Sequence, residues 1–359
     1  MNVKVWCGLR ISASIFLALI AAGSARAATP RCDRACLEKM TDQYLQAVIK
    51  HDPTAAPLFV AFRETENALL VLPGKEGLWQ SMTGLGKIQR KYIDTVTQSA
   101  GYFGTIMEGD DTDIATLRLK IENGKITEAE WVIARKDTGG PQGPGLGSTI
   151  PEGLDITPPP DAIVPKEKRA PRDVLIAVTN SYFDSLQSGN NALMIAQPGW
   201  VRLENGVGTG QGRGGAARGG PAGPGGGPGG RGRGAVGGGG PGGGGRGGFG
   251  MTGVVARRYP IVDEEKQVVL GMVIFIRPPG STARRNLLTE WFLLDDSKIR
   301  GIWAAMHYLP PTQAAPNWPP YDGNWPIGDI PVAPANAPAA GTGPAPGAAP
   351  PAGAPPPGH

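Results

Sequence analysis

The chain has 359 residues, which is too long for one ordinary domain and sufficient for two. Glycine and proline, with 56 and 36 residues, supply about a quarter of it, close to the level of low-complexity sequences. Much of this excess lies in residues 206–250 and 309–359, so the remainder can form hydrophobic cores. The formal net charge is only +4, which gives no electrostatic reason to expect nucleic-acid binding.

The first 27 residues have the features of a secretory signal peptide. Two basic residues precede the apolar run 11–22, and residues 25–27 read A-R-A, a typical cleavage site. The apolar run is too short to span a bilayer and no later run is long enough, so we expect no transmembrane segment. We predict a secreted or periplasmic protein that begins at Ala28. Cleavage removes three basic residues and no acid, which lowers the formal charge from +4 to +1.

Cleavage also removes Cys7 and leaves Cys32 and Cys36 as the remaining cysteines. In an oxidising compartment two such cysteines usually pair, and their i,i+4 spacing on a helix gives a Cα separation of about 6 Å, within disulfide range. We predict this disulfide, with Asp33 as the N-cap of the helix; the alternative is one buried and one exposed thiol. Without a neighbouring histidine the pair makes a poor metal site, and we expect no metal or other cofactor.

An internal repeat organises the rest of the chain. One helix face returns after 138 positions: Leu37, Met40, Tyr44 and Val48 become Leu175, Val178, Tyr182 and Leu186. The same offset maps Glu66 and Asn67 onto Glu204 and Asn205. In the last hairpin the offset is 173, since Lys125 maps onto Lys298, so the second copy has gained 35 residues. One offset that holds across a helix, a turn and a strand indicates duplication.

These observations predict an α+β chain of two cone-shaped domains, each an N-terminal helix packed on a curved antiparallel sheet, with a pocket at the open end. The predicted segments are the signal peptide 1–27, a first domain 28–136, a Gly/Pro linker 137–170, a second domain 171–310 with a Gly-rich loop insertion 206–250, and a tail 311–359 that is disordered from about 331. After the helix and first strand we expect a loop with short helical pieces, then strands at 102–108, 113–122 and 126–135 in the first copy and at 256–263, 267–277, 287–295 and 299–308 in the second.

The helix, the segment HDPTAAPLFVAFRETEN and the hairpin IENGKITEAEWVIAR together resemble the nuclear-transport-factor-2-like superfamily, which includes SnoaL-like polyketide cyclases and ketosteroid isomerases. The paired TEN and LEN strands behind a signal peptide resemble more closely an exported bacterial and fungal family catalogued as domain of unknown function 8021. The resemblance covers about 32–135 and 171–310. It implies the cystatin-like, SnoaL-like roll and, because such cones often associate through their sheets, an intrachain pseudo-dimer or a homodimer. It implies no activity, since this fold has many functions.

The candidate catalytic residues are Glu66 and Tyr44. Glu64 and Glu66 share one face of a strand, and a carboxyl group among large apolar side chains has the raised pKa that suits acid–base work. Tyr44, on the helix face that covers the sheet, would donate a hydrogen bond to a developing oxyanion, as in the isomerases of the superfamily. The alternative is that these residues hold the strand–loop junction, and their return in the second copy favours that structural role.

The other candidates for ligand binding each have a structural alternative. The asparagines are also typical turn residues, the tryptophans typical core residues, the arginines typical of a solvated face, and the histidine typical of a packed or rim position. These candidates are Glu64, Asn67, Trp79, Arg118, Tyr182, Arg202, Glu204, Asn205 and His307.

Three functions fit the sequence. The first is small-molecule binding, or a non-catalytic role, through SnoaL-like pockets with a small apolar ligand. The second is an isomerase, dehydratase or cyclase that uses Glu66 and Tyr44 on a small apolar substrate. The third is assembly in the cell envelope through sheet faces, the Gly-rich loop and the tail. The insertion contains Arg-Gly pairs, but it almost lacks stacking aromatic residues, and an exported protein rarely meets RNA, so nucleic acid is not an expected partner.

Overall fold

The computed structural model describes residues 31–136, 149–209, 253–276 and 286–309. The predicted signal peptide, the predicted disordered tail and nearly all of the predicted Gly-rich insertion lie outside the described residues. Within these ranges no helix is both long and apolar enough to cross a membrane.

Each domain begins with a long helix and continues with six strands. In the first domain the elements are α1 (Arg34–Ile49), β1 (Leu58–Glu66), β2 (Leu69–Val71), α2 (Leu78–Ser81), β3 (Met82–Asp94), β4 (Ser99–Glu108), β5 (Asp111–Glu122) and β6 (Lys125–Ala134). The linker contains α3 (Glu152–Ile156). In the second domain they are α4 (Arg172–Ser188), β7 (Ala196–Glu204), β8 (Val207–Gly208), β9 (Gly253–Asp263), β10 (Val268–Ile276), β11 (Asn286–Asp295) and β12 (Lys298–Tyr308).

The two sheets have the same strand order. The first runs β2-β1-β6-β5-β4-β3 and the second β8-β7-β12-β11-β10-β9. The expected α+β architecture of two cone-like domains is therefore confirmed. The sheets are mixed and not purely antiparallel as predicted, because β1 pairs in parallel with β6 and β7 pairs in parallel with β12. The long excursion through the rest of the sheet brings the last strand back beside the first.

The prediction of a loop between the first strand and position 102 was wrong for residues 82–94. These residues form β3, a 13-residue strand at the sheet edge. Its sequence, MTGLGKIQRKYID, has two glycines and three basic residues, and its register with β4 shifts between Leu85 and Gln89. Such irregular, polar edge strands lack the apolar alternation by which strands are recognised.

The helices begin and end where local chemistry dictates. The Asp33 side chain accepts a hydrogen bond from the Cys36 amide (2.9 Å) and caps α1, as the sequence predicted. In α4 the residue before the helix is Pro171, and the helix ends at Gly189 in the left-handed conformation (φ 66°). The predicted apolar face of α1 is buried against its own sheet, with Leu37 and Tyr44 fully inaccessible.

The second face of each sheet packs against the other sheet. One apolar cluster contains residues of both domains, among them Ile114, Val132, Leu270 and Trp291. The central strands are thus buried on both faces, which accounts for their nearly continuous apolar sequences. The described part of the linker joins this packing: Leu154 is buried in the same cluster.

Two reciprocal ion pairs link the domains. Arg34 at the start of α1 pairs with Asp263 at the end of β9. Arg172 at the start of α4 pairs with Asp94 at the end of β3 (2.6 Å). Each aspartate also accepts a backbone amide from the opposite domain, Ile93 for Asp263 (2.8 Å) and Val262 for Asp94 (2.9 Å). Each domain therefore presents the same contacts to the other.

Candidate functional site

The interior of the first domain surrounds the carboxyl group of Glu64. Glu64 lies near the end of β1, and its Oε2 accepts a hydrogen bond from Nε1 of Trp79 in α2 (2.6 Å). Tyr44 from α1 lies edge-on to Trp79, with the ring centroids 5.8 Å apart at 88°. The Tyr44 hydroxyl in turn accepts a hydrogen bond from Nε1 of Trp131 on β6 (3.2 Å). The three aromatic rings are fully inaccessible to solvent and fill the space over the sheet.

Glu66 has a different set of partners. Its Oε1 accepts a hydrogen bond from the backbone amide of Leu78 (2.5 Å), which is the first residue of α2. The residue before it, Gly77, has a φ of 57°, and a Cβ there would stand 2.2 Å from the Glu66 carboxylate. The start of α2 is therefore held by Glu66, and the close approach of the backbone to this carboxylate requires glycine at position 77. The two predicted catalytic residues share no hydrogen bond, since Tyr44 is bonded to Trp131 and Glu66 to Leu78.

Burial changes the acidity of these groups. Desolvation raises the pKa of Glu64 to about 8, with the charge of Glu66 adding to the effect and the hydrogen bond from Trp79 opposing it. Desolvation likewise raises the pKa of Glu66 to about 7, against the hydrogen bond from Leu78 and the charge of Arg135. The pKa of Tyr44 is well above its usual value because of burial and the neighbouring Glu64. The first domain therefore contains two carboxyl groups poised near neutral pH.

A second acidic group lies beside Glu66, and sequence analysis missed it. Arg135 follows β6; its Nη2 lies 3.8 Å from Oε2 of Glu66, and its Nε donates to Glu108 (2.5 Å). Asp113 on β5 lies next to Glu108, and burial, followed by the hydrogen bond and charge of Glu108, raises the pKa of Asp113 to about 7. These residues are scattered over three strand ends, and no spacing in the sequence connects them.

The second domain has an ion-pair network in the corresponding place. Arg202 on β7 occupies the repeat position of Glu64, and its guanidinium binds Glu290 (2.9 Å) and Glu204 (2.8 Å). Tyr182, the counterpart of Tyr44, donates its hydroxyl to Glu290 (3.3 Å). Burial raises the pKa of Glu290, against the charge and hydrogen bond of Arg202. Glu290 was not among the predicted residues; it follows an apolar run and is fully buried.

Asn67 and Asn205 act on the backbone of the last strand in each sheet. Asn67 has a φ of 48°, and its Oδ1 accepts a hydrogen bond from the Ile133 amide (2.8 Å). Asn205 has a φ of 49° and both accepts from the Met306 amide (2.7 Å) and donates to the Met306 carbonyl (2.9 Å). The side chains continue the parallel pairing of β1 and β7 past their ends. This places both asparagines at turns with a structural task.

The expectation of a solvated face was wrong for the two candidate arginines. Arg118 is buried at the contact between the sheets, where it pairs with Glu130 (2.7 Å) and with Glu128. Glu130 is fully buried and is also bound by Arg258 of the second domain (2.6 Å). Burial alone would raise the pKa of Glu130, but the two guanidinium groups bring it below its ordinary value. Arg202 is likewise buried, in the network described above.

The remaining candidates occupy structural positions. The tryptophans of the sequence that lie within the described strands and helices are buried; they are Trp79, Trp131, Trp200, Trp291 and Trp303. His307 is half-buried on β12 opposite Leu287. Cys32 and Cys36 form a disulfide with a Cα separation of 5.2 Å. In the part of the chain that the structure describes, no three histidine, cysteine or acidic side chains come together in a way that would hold a metal ion.

A cleft lined by residues of both domains lies outside the cones. It is formed by the ends of β3 and β9, the start of α1 and the segment before α4, and it has a volume of about 410 Å³. Nothing in the sequence pattern indicated it, because its walls are brought together only by the packing of the two sheets.

Comparisons with known proteins give one family match and similarity to a solved structure. Among curated proteins, none matches the chain. A crystal structure of a protein of unknown function with a cystatin-like fold, from Methylobium petroleophilum PM1, is similar at 15% identity, covers 39% of this chain and 100% of its own, and has a TM-score of 0.27. At that identity and TM-score the likeness has no bearing on function. Residues 168–306, nearly all of the second domain, match the family described as Domain of unknown function (DUF8021), the family that the sequence resembles.

Proposed function

We propose that this chain is an exported, non-catalytic protein that binds a small molecule outside the interiors of its two domains. The observation that carries the proposal is that the buried carboxyl groups of Glu64, Glu66 and Glu290 each accept a hydrogen bond from within the protein, although Oε1 of Glu64 and Oε2 of Glu290 have no partner among the described residues. A carboxyl group that is hydrogen-bonded within the protein and covered by packed aromatic rings is poorly placed to contact a substrate.

In the first domain a substrate would have to displace Trp79 to reach Glu64. Trp79 has no exposed surface, donates its indole N–H to Glu64 and packs on Tyr44. Loss of a buried indole from its place costs about 3–5 kcal/mol in typical cores, which a weakly bound small molecule does not return. Glu66 is occupied by the start of α2. Both carboxyl groups therefore serve the fold.

In the second domain the chemistry at the same positions is different. The repeat counterpart of Glu64 is Arg202, whose charge is used by Glu290 and Glu204. An acid–base function shared by the two copies would need the same ionisable group in both. Tyr44 and Glu66 do return as Tyr182 and Glu204, but with different partners. Asn67 and Asn205 return with the same backbone contacts, so the contacts common to both copies are those of the scaffold.

The pairing of the two sheets supports an intrachain equivalent of a homodimer that arose by duplication. The helices α1 and α4 begin 138 positions apart, and so do the strands β1 and β7. The ion pairs of Arg34 and Arg172 are reciprocal. We infer that each domain uses one sheet face for the other domain, and its helix face for its own core.

Mass spectrometry tests the proposal on the chain purified from its export compartment. Under denaturing conditions we expect the mass of a chain that begins at Ala28 and is two hydrogens lighter than the reduced chain. Under native conditions we expect an added mass from a bound small molecule. The double variant Glu64→Gln, Glu66→Gln should retain the same molecule to the same extent. A ligand that is lost from this variant while its melting temperature is unchanged would place the site inside the cone and contradict the proposal.

A second function has one specific observation in its favour. Three carboxyl groups of the first domain, on Glu64, Glu66 and Asp113, have pKa values raised to about 7 or 8, and such perturbed groups are frequent in active sites. An enzyme of this kind would remove a proton next to a carbonyl group. Deuterium uptake by an enolisable apolar ketone, followed by NMR, measures that step directly. Deuterium uptake that is lost in Glu66→Gln and in Tyr44→Phe would support the enzyme function. Uptake no faster than in buffer alone would exclude that function for the ketone tested.

A further inference from the structure

The cleft between the domains has the size and position of a ligand site. Its volume of about 410 Å³ lies within the usual range of 300–1,000 Å³ for small-molecule pockets, which often form at domain boundaries. It opens beside the reciprocal ion pairs, where the ends of β3 and β9 meet. The segment before α4 closes one side of it.

Most of the charged residues on its walls already have ion-pair partners within the protein. Asp94 binds Arg172 and accepts the amides of Thr97 and Val262, while Asp263 binds Arg34 and the amide of Ile93. These groups fix the walls and have little capacity left for a ligand.

Glu265, on the same wall, is also engaged, because Arg34 binds it through Nε (2.8 Å). The shape of the cleft thus depends on ion pairs between the domains. Any ligand must be held by other charges.

Three lining residues have a charge with no ion-pair partner within residues 31–136, 149–209, 253–276 and 286–309. Lys166 belongs to the helical turn Lys166–Lys168 before α4 and is exposed. Arg169 uses its Nε to bind the Val164 carbonyl (2.8 Å), which leaves its terminal nitrogens for another acceptor. Glu264 follows β9 and is half-buried. The cleft therefore offers two unpaired cations and one unpaired anion.

We propose that this cleft binds an acidic amino acid, a small molecule with two carboxylates and one ammonium group. The carboxylates pair with Lys166 and Arg169, and the ammonium pairs with Glu264, so that the charges of ligand and site match in number and sign. The inference rests on the proposed function, in which the ligand binds outside the domain interiors.

The repeat shows that this charge set belongs to one side of the molecule. The residue that corresponds to Glu264 in the first domain is Thr95, since Asp94 and Asp263 are counterparts. The counterpart of Arg169 is Arg31, whose guanidinium donates to the carbonyls of Thr95 and Val96 and is not available in the same way. The described counterparts in the first domain therefore do not form the same set of charges. If the fold itself required these charges, both copies would have them.

Calorimetric titration of the mature chain with L-glutamate tests the inference at low ionic strength, with glutarate and L-lysine as comparison ligands. We expect saturable binding of glutamate, weaker binding of glutarate and none of lysine. Lys166→Ala and Arg169→Ala are each expected to weaken glutamate binding about tenfold, which corresponds to about 1.4 kcal/mol. Glu264→Gln should remove the preference for glutamate over glutarate. The matched control Lys75→Ala changes an exposed lysine that does not line the cleft and should leave binding unchanged.

Absence of glutamate binding by the unaltered protein would overturn the inference. So would Lys166→Ala and Arg169→Ala variants that bind glutamate as tightly as the unaltered protein does. Equal affinity for glutamate and glutarate in the unaltered protein would overturn the assignment of Glu264. Native mass spectrometry separates this failure from failure of the proposed function. A co-purified ligand that persists in Glu64→Gln, Glu66→Gln and in the cleft variants would leave the proposed function standing, whereas a ligand lost only from Glu64→Gln, Glu66→Gln would remove both.

Discussion

Thr116 on β5 and Thr289 on β11 are repeat counterparts, and their hydroxyl groups are hydrogen-bonded to each other (2.9 Å) in the buried contact between the two sheets. They are 173 positions apart, the offset of the last hairpins. In a symmetric dimer a residue meets its own copy only on the twofold axis. The contact of these two threonines is what the proposed intrachain pseudo-dimer predicts on its axis.

Thr116 is expected to matter more than Thr289. Thr116 also accepts the indole N–H of Trp291 (3.1 Å), so Thr116→Val leaves that buried donor without its acceptor, at a cost of about 1–3 kcal/mol in the free energy of unfolding. Thr289→Val removes one hydroxyl that donates to the Ala305 carbonyl and is hydrogen-bonded to the Thr116 hydroxyl, and should cost less. Urea unfolding measures both. A double variant as costly as the sum of the single ones would show that the hydroxyls are not coupled.

The ion pairs at the ends of β3 and β9 should contribute about equally. Asp263→Asn removes the negative charge that pairs with Arg34. It also leaves one side-chain oxygen, and an N–H₂ group that cannot accept, for the three backbone amides that now donate to Asp263. We therefore expect a loss of about 2–3 kcal/mol in the free energy of unfolding. Asp94→Asn should give a loss of the same size, because its contacts are the reciprocal ones.

The control for these two variants is Asp42→Asn, which changes an exposed pair with Lys91 and should cost less than about 1 kcal/mol. Thermal and urea unfolding of the three variants decide the matter. If Asp94→Asn and Asp263→Asn behaved like Asp42→Asn, the pairs would not hold the domains together.

Much of the architecture could be predicted from the sequence because the repeat constrains it. A helix face and a strand that return at one offset fix element type and order, and the strands β4 to β6 and β9 to β12 were predicted to within a few residues. The edge strand β3 was missed because its glycines and basic residues conceal the alternation. Parallel pairing of β1 with β6 is also invisible locally, since it joins residues that are far apart in the chain.

The site was predicted less well than the fold. Sequence alternation located Glu64 and Glu66 on one strand, but a pattern cannot say that Trp79 would cover one and α2 the other. Arg118 and Arg202 look like solvated strand residues, and only the packing of two sheets, or of a helix on a sheet, buries them. The residues Glu108 and Asp113 come together across a strand pair whose register the sequence does not reveal.

Substitution of Asn67 should lower the free energy of unfolding for two separable reasons. Asn67→Gly keeps the left-handed backbone conformation and removes the hydrogen bond to the Ile133 amide, for an expected loss of about 1–3 kcal/mol. Asn67→Ala also adds the strain of a positive φ, about 1–2 kcal/mol more. Asn123 offers a matched control, because it has a φ of 51° but is exposed in a turn.

Asn123→Gly should be near neutral in urea unfolding. The difference between Asn67→Gly and Asn67→Ala isolates the backbone strain. A loss at Asn67→Gly as small as that at Asn123→Gly would refute the backbone-pairing role of the side chain.

The buried acid Glu64 should make the protein less stable as the pH rises. Its pKa is raised from 4.5 in an unstructured chain to about 8 in the fold, chiefly by burial. Between these values the folded state retains a proton that the unfolded chain has lost, so the contribution of Glu64 is fully present below pH 4.5 and is lost as the pH rises toward 8. One such group changes the free energy of unfolding by about 1.4 kcal/mol per pH unit within that window.

Glu64→Gln removes this titration and keeps the shape and one acceptor for Trp79. We expect the variant to lose stability relative to the unaltered protein at pH 5 and to gain relative to it at pH 8, so that the two curves of melting temperature against pH converge or cross. Glu122→Gln, at an exposed strand end, is the control and should displace the curve without changing its slope. If Glu64→Gln left the slope between pH 5 and 8 unchanged, Glu64 would be ionised inside the fold. A compensating partner for that charge would then have to be found among its neighbours.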